Sequence, residues 1–320
     1  MAKWLVTGAS GFIGSNIVKK LIEQKQEVWG LDNFSNSDDS NVKEFKNDFT
    51  FIRNDIRNFK TCVDLCEGKD YVLHQAALGS VPRSIDDPYS SNDSNVNGFL
   101  NIMLAAKQAG VKKFVYASSG SVYGDSTTLP KVENTIGEPL SPYAATKQIN
   151  EMYAKVFHKA YGFDSIGLRY FNVYGPMQKF EGPYVTVIPT WCRAFIRDEE
   201  IFINGDGKTS RDFCYVEDVV RANILAAVSS LEGANVFNVG SGTNISLYDL
   251  FTLLKDLFNK PDVEPKYRDF RAGDTRHTLA DLKNIQTKLG YNAKHDIHQG
   301  LEKAIKWYKN KLEQNKNTLE

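Results

Sequence analysis

The chain has 320 residues, 42% hydrophobic and 24% charged, with 39 Lys+Arg against 39 Asp+Glu. The zero net charge excludes the basic excess that nucleic acids and anionic membranes select, and no apolar run nears the ~18 residues a membrane span needs. Four scattered cysteines give no disulfide framework, and Cys62 and Cys66 lack a second ligand pair for zinc, so we expect a cytoplasmic protein with reduced thiols, no signal peptide and no metal.

Residues 3–7 predict an apolar strand, and Gly8-Ala9-Ser10-Gly11-Phe12-Ile13-Gly14 follows at once. A helix is predicted over 15–24 and a second strand over 28–31, ending in Asp32. A glycine triplet between strand and helix, with an acid closing the next strand, is the dinucleotide-binding fingerprint. The loop of Gly8, Gly11, Phe12, Ile13 and Gly14 lets backbone approach a pyrophosphate at a helix N-terminus, where free N–H groups favour anions. Asp32 is expected to accept hydrogen bonds from the adenosine ribose, with Asn33, Phe34, Asn36 and Ser37 beside it. No lysine or arginine occurs from Asn33 through Asn41, so a 2′-phosphate would be unbalanced and NAD is favoured over NADP.

The alternation continues as a doubly wound parallel (Rossmann) sheet should. A strand is predicted over 49–53, then Asp55 and Ile56 in a loop placed to hold adenine, then a helix over 59–66. Residues 71–75 form the next strand, which ends in Gln75, Ala76 and Ala77, small enough at its tip for a cofactor to lie against it; His74 is read as structural. A long helix over 91–109 leads to a strand over 113–117, with Ser118, Ser119, Gly120 and Ser121 at its carboxyl end. Ligands sit at such ends in open parallel sheets.

Ser141 reads as an N-cap and Pro142 as the first residue of a helix over 142–161, stopped by Gly162. Tyr143 and Lys147 stand at i and i+4 on one face. A free tyrosine has a pKa near ~10, and a neighbouring ammonium favours its phenolate, which makes Tyr143 a proton acceptor. A strand over 165–170 follows, ending in Tyr170, and the regular alternation then loosens. A helix is predicted over 187–197, and residues 211–215 and 216–229 are expected to return to the sheet layer. Residues 236–240 read as one more strand, and 247–258, a strand near Val263 and 297–311 finish the chain before a polar, frayed end over 313–320. This predicts a Rossmann domain of residues 1–170, with 212–243 returning to it, and a smaller interleaved α/β substrate-binding domain in the rest of 171–320.

The glycine loop, Asp32, Asp55-Ile56-Arg57, Ser119 ahead of Val122-Tyr123-Gly124-Asp125, and Tyr143 with Lys147 together resemble the extended short-chain dehydrogenase/reductase family. The likeness runs on through Arg169-Tyr170-Phe171-Asn172, Gly205-Asp206-Gly207, Arg211-Asp212-Phe213 and Arg271-Ala272-Gly273-Asp274, and is closest to its nucleotide-sugar 4-epimerases. The resemblance implies that Ser119, Tyr143 and Lys147 are catalytic. In it, Tyr143 takes the sugar 4-hydroxyl proton while NAD carries the hydride, and Lys147 both lowers the Tyr143 pKa and binds the nicotinamide ribose. It implies a UDP-sugar partner held by Gly79, Ser80, Ser121, Asn172, Gln178, Arg211, Arg271, Asp274 and Thr278, and a homodimer paired through helices. A small Thr278 and Gly79 imply room for a 2-acetamido group, hence UDP-N-acetylglucosamine and UDP-N-acetylgalactosamine. Gly120 departs from those relatives, which tend to carry another serine there. Three readings compete. A 4,6-dehydratase or decarboxylase would need an acid in the 119–122 loop, a uronic-acid epimerase would need a cation such as Arg83, and an NAD-sensing protein would have lost the serine, tyrosine or lysine.

Overall fold

Apolar strands alternating with amphipathic helices build a seven-stranded parallel sheet in the computed structural model, which describes residues 1–182, 185–270 and 275–317. Its strands are β1 (Lys3–Thr7), β2 (Glu27–Asp32), β3 (Thr50–Arg53), β4 (Tyr71–His74), β5 (Lys113–Ser119), β6 (Ser165–Tyr170) and β7 (Ala234–Val239). They lie in the order β7-β6-β5-β4-β1-β2-β3. The chain thus winds outward from β1 through β3, then returns to the other side at β4, and β1 pairs with both β2 and β4. That reversal opens a crevice above the carboxyl ends of β1 and β4.

The helices are α1 (Phe12–Glu23), α2 (Phe59–Cys66), α3 (Gly98–Gln108), α4 (Pro142–Tyr161), α5 (Val187–Arg197), α6 (Val216–Val228), α7 (Leu247–Leu257) and α8 (Ile297–Asn317). Successive side chains of a strand face opposite layers. Val6, Leu73 and Val115 therefore meet Ile17, Val18 and Leu21 of α1 and Val219 and Ala222 of α6 on one side. Leu5, Val72, Phe114 and Tyr116 meet Cys62, Phe99, Ile102 and Phe157 of α2, α3 and α4 on the other. A separate core joins α5, α7 and α8 through Trp191, Phe195, Phe251, Leu254, Leu301 and Tyr308.

Three elements differ from the sequence expectation. The helix over 91–109 is broken into Pro88–Asn92, a wide turn at Asp93–Asn97 with i→i+5 bonding, and α3. The break aims buried Asn95 at the cleft wall, where its Oδ1 accepts from the Leu78 N–H at 2.8 Å and its Nδ2 donates to Thr146 Oγ1 at 3.2 Å. The strand sought near Val263 lies at Lys266–Arg268, paired in parallel with Phe202–Asn204. The last helix continues beyond 311 to Asn317. Among the described residues no helix is long and apolar enough to cross a membrane.

His74 sits in the sheet, 4% exposed and stacked on Phe114. Thr7 Oγ1 accepts from the Ala76 N–H and shares a hydrogen bond with His74 Nδ1, 2.7 Å away. Burial, helped by the Lys147 charge, pulls its pKa from the ordinary 6.5 to about 3. Below pH 6.5 the unfolded chain binds a proton that the folded chain refuses. The stability carried by the neutral ring is therefore complete above pH 6.5 and is lost progressively down to pH 3. By pH 5 this loss is about 2 kcal/mol. We expect His74→Gln, neutral at every pH, to lose about 2 kcal/mol less unfolding free energy than wild type between pH 7 and pH 5, measured by urea denaturation.

Candidate active site

The crevice begins where β1 turns into α1. Gly8 has φ +69° and packs so closely on β4 that a Cβ would lie 2.8 Å from the Ala76 nitrogen. A Cβ on Gly14 would lie 2.0 Å from the Gly8 carbonyl oxygen, so only glycine lets α1 close on the turn. Gly11 is the N-cap and no side chain caps the first turn, which leaves the N–H groups there for a ligand. They border a cleft of 640 Å³.

Asp32 closes the next wall. Its Oδ2 accepts from the Ser10 N–H at 3.0 Å, and its Oδ1 accepts from the Phe34 N–H at 2.9 Å and from Ser37 Oγ at 3.1 Å. A carboxylate has about four lone-pair positions, so acceptor capacity is left for a diol. Asn33 Nδ2 donates to Asp55 Oδ2 at 2.7 Å. Burial would raise the Asp55 carboxyl, but hydrogen bonds from Arg57 and Asn33 outweigh it and hold it at about 2. At the tip of β4, Gln75 Oε1 accepts from the Tyr170 hydroxyl at 2.9 Å, and Asn223 of α6 donates to that hydroxyl at 2.8 Å.

Ser119 ends β5, and its Oγ accepts from the Ser121 N–H at 3.1 Å and from Ser121 Oγ at 2.8 Å. Ser141 caps α4 by accepting from the Ala144 N–H at 3.2 Å, and Ser84 Oγ accepts from the Tyr143 N–H at 3.0 Å, which fixes where the Tyr143 ring enters. The Lys147 ammonium donates to the Ala117 carbonyl at 2.8 Å and lies 5.8 Å from the centre of the Tyr143 ring. Tyr143 and Lys147 are thus brought together at the strand tips. Their protonation differs from the sequence expectation. Burial pushes the Tyr143 phenol above its usual 10, against a lowering hydrogen bond with Ser119, and burial brings the Lys147 amine down to about 8. For the phenol, the removal of water outweighs the Ser119 hydrogen bond.

The cleft gathers most of the expected cofactor residues: Gly8, Gly11, Phe12, Ile13, Gly14, Asp32, Asn33, Asn36, Ser37, Asp55, Ile56, Gln75, Ala76, Ala77, Tyr143 and Tyr170. Phe34 and Lys147 do not line it: Phe34 stacks on Phe51 with ring centres 5.4 Å apart, and Lys147 is buried behind Ala117, to whose carbonyl it donates. Of the expected substrate residues, Gly79, Ser80, Ser119, Tyr143 and Gln178 line it. Gln178 is committed to the protein, donating to Thr186 Oγ1 at 3.1 Å and accepting from the Tyr308 hydroxyl at 3.2 Å. Ser121, Asn172, Arg211 and Thr278 lie outside the lining. Arg211 donates to the Ser210 and Arg276 carbonyls, and Thr278 Oγ1 accepts from the Asp212 N–H at 3.2 Å. Arg271 and Asp274 lie outside the described residues. Trp307 and Lys311 of α8 also line the cleft, as do Phe171 and Val173. Nothing local in the sequence marks the two α8 residues, which the fold delivers from the far end of the chain. Among the described residues no group of histidine, cysteine and acidic side chains could hold a metal ion.

A family model described as the NAD dependent epimerase/dehydratase family matches residues 4–240. The UDP-glucose 4-epimerase of Mycolicibacterium smegmatis is 36% identical over 311 residues, covering 96% of this chain and 98% of the relative. The UDP-glucuronate 4-epimerase of Thermodesulfobacterium geofontis is 32% identical over 323 residues, covering 98% of each. The solved UDP-N-acetylglucosamine 4-epimerase from Methanobrevibacter ruminantium, in complex with UDP-N-acetylmuramic acid, superposes with a TM-score of 0.92 at 38% identity. That match covers 97% of this chain and 99% of the other.

The residues present fit NAD: an uncapped helix start for the diphosphate, Asp32 for a ribose diol, and no cation from Asn33 through Asn41 to balance a further phosphate. Gly14→Ala should lower the melting temperature by several degrees and yield protein purified with less NAD. Gly11→Ala, whose Cβ would meet only the Gly8 oxygen at 3.2 Å, should cost less stability; calorimetry and the NAD released on acid precipitation check both.

Proposed function

The chain belongs to the NAD dependent epimerase/dehydratase family, and from that premise we propose that it is a UDP-sugar 4-epimerase whose substrates are UDP-N-acetylhexosamines. The observation that carries this reading is Lys147, 3% exposed and 5.8 Å from the centre of the Tyr143 ring, with Tyr143 and Ser119 both on the wall of the cleft that fits NAD. NAD, when bound, supplies a two-electron acceptor that gives back what it takes, so the net reaction is an isomerisation. On the protein's side, Ser119 holds the sugar 4-hydroxyl and Tyr143 accepts its proton as the sugar becomes a transient 4-keto species. The sugar then presents its other face, and Tyr143 returns the proton to O4 with inverted configuration at C4. Lys147 supports the Tyr143 charge, which burial opposes.

Two features support an N-acetylated sugar. Gly79 faces the cleft with nothing within 4 Å of where its Cβ would stand. A solved relative at 38% identity is named a UDP-N-acetylglucosamine 4-epimerase. In this reading Asn172, Arg211, Arg271 and Asp274 hold the UDP, since fixed guanidinium groups give multidentate recognition of a diphosphate. Arg83, the cation a uronate would need, donates to Asn36 on the opposite wall. The cleft carboxylates are Asp32, Asp38, Asp55 and Glu181, none within the 119–122 loop that a dehydratase would use. In this reading the protein is a cytoplasmic homodimer paired through the 91–109 and 142–161 helices, the second of which leaves Met152 and Val156 63% and 55% exposed.

Incubation with UDP-N-acetylglucosamine, UDP-glucose and UDP-N-acetylglucosaminuronate, adding no cofactor, should yield the 4-epimer of the first fastest. Tyr143→Phe should lower kcat by about 10²–10⁴ with NAD content unchanged, and retained activity would contradict the mechanism. Light scattering should give twice the 36.0 kDa chain mass for wild type, and Met152→Asp with Val156→Asp should shift the protein to the monomer.

A further inference from the structure

One turn beyond Lys147 on the same face of α4 stands Glu151, a charged side chain that sequence reasoning left aside. It is 3% exposed, as is Lys147. Its Oε1 accepts from Ser118 Oγ at 2.5 Å, and Ser118 precedes Ser119 on β5. Arg169 of β6, also 3% exposed, grips both carboxylate oxygens, donating from Nε to Oε1 at 2.9 Å and from Nη2 to Oε2 at 2.7 Å. A third guanidinium bond goes from Nη1 to the Glu133 carbonyl at 2.9 Å, and the guanidinium lies over the Tyr123 ring. One carboxylate therefore joins the helix that carries Tyr143 and Lys147, the strand that ends in Ser119, and the neighbouring strand.

We propose that Glu151 is a positioning residue of the active site, which sets the distance between Ser119 and the Tyr143 helix and supplies the counter-charge for the buried Lys147 ammonium. The proposal rests on the reading of Tyr143 and Lys147 given above. Lys147 reaches the Ala117 carbonyl and Glu151 reaches the Ser118 hydroxyl, so the two heads meet adjacent positions of β5. A buried bidentate pair is weak evidence for a stabilising role, because two well-packed apolar residues often serve as well. An ion pair placed one helical turn from an ammonium that has lost its water has a different use. Burial brings the Lys147 amine down to about 8, and the Glu151 charge pulls it back up. Arg169 holds both Glu151 oxygens, and Glu151 stands one helical turn from Lys147. The Tyr143 phenol of its own helix and the His74 ring of β4, held neutral by burial, also lie near Lys147 and cannot replace that charge.

The test measures the ionisation of Lys147 directly, by NMR of lysine labelled at Cε, with Lys147→Arg assigning the signal. Wild type should titrate near 8, and Glu151→Gln should titrate about one pH unit or more lower. Should Glu151→Gln not fold with Arg169 unpaired, the neutral pair Glu151→Gln/Arg169→Gln takes its place and should still titrate below wild type. In turnover, the alkaline limb of kcat/KM should move to lower pH in Glu151→Gln and return in Glu151→Asp. A Lys147 titration unchanged by these substitutions, or a loss of activity equal at every pH, would overturn the proposal. If wild type epimerises no UDP-sugar, the proposed function fails, and the NMR titration alone decides the role of Glu151.

Discussion

A half-buried phenol and a buried ammonium placed side by side constrain this molecule more than any other feature. Each loses hydration in its charged form, which moves Tyr143 up and Lys147 down. A mobile pair would escape by turning to solvent, so the surrounding structure has to hold both. It does so through the Ala117 carbonyl, the Ser84 hydroxyl and the Ser141 cap. The parallel sheet makes this possible, because its carboxyl edge presents carbonyls and short side chains from several strands to one crevice.

The same edge unites the other parts of the site. Gly8 and Gly14 let α1 start against β1 and β4, the β5 tip offers Ser119, and the β6 tip offers Tyr170. Tyr170 is held by Gln75 and Asn223, so a residue of α6 stiffens the floor of a cleft it does not line. On the far wall Gln178 and Tyr308 tie the loop after Tyr174 to α8, which brings Trp307 and Lys311 over the opening. The two cores, one around the sheet and one around α5, α7 and α8, meet along this crevice.

Much of this was legible in the sequence where the signal is local. The glycine loop, Asp32 and the capped helix from Pro142 to Tyr161 each depend on residues a few positions apart, and their backbone follows from that spacing. The break at Asp93–Asn97 was not legible, because it answers to Asn95 contacts with Leu78 and Thr146 that exist only after folding. The strand Lys266–Arg268 is exposed throughout and carries no alternation to announce it. The hydrogen bonds that occupy Gln178 and Thr278 are likewise tertiary. Glu151 could have been found by extending the Tyr143–Lys147 spacing one more turn. What hid it was its partner, Arg169, on a strand that no local pattern connects to α4.

The central claim is that Tyr143 acts as a base although burial alone holds its phenol un-ionised. The most direct measurement is the Tyr143 pKa, from NMR of tyrosine labelled at Cζ, assigned by Tyr143→Phe, in protein stripped of NAD and in protein loaded with it. The account predicts a value above 10 without NAD and a lower one with it, since the positive nicotinamide ring would favour the phenolate. An unchanged value in the loaded protein would contradict it.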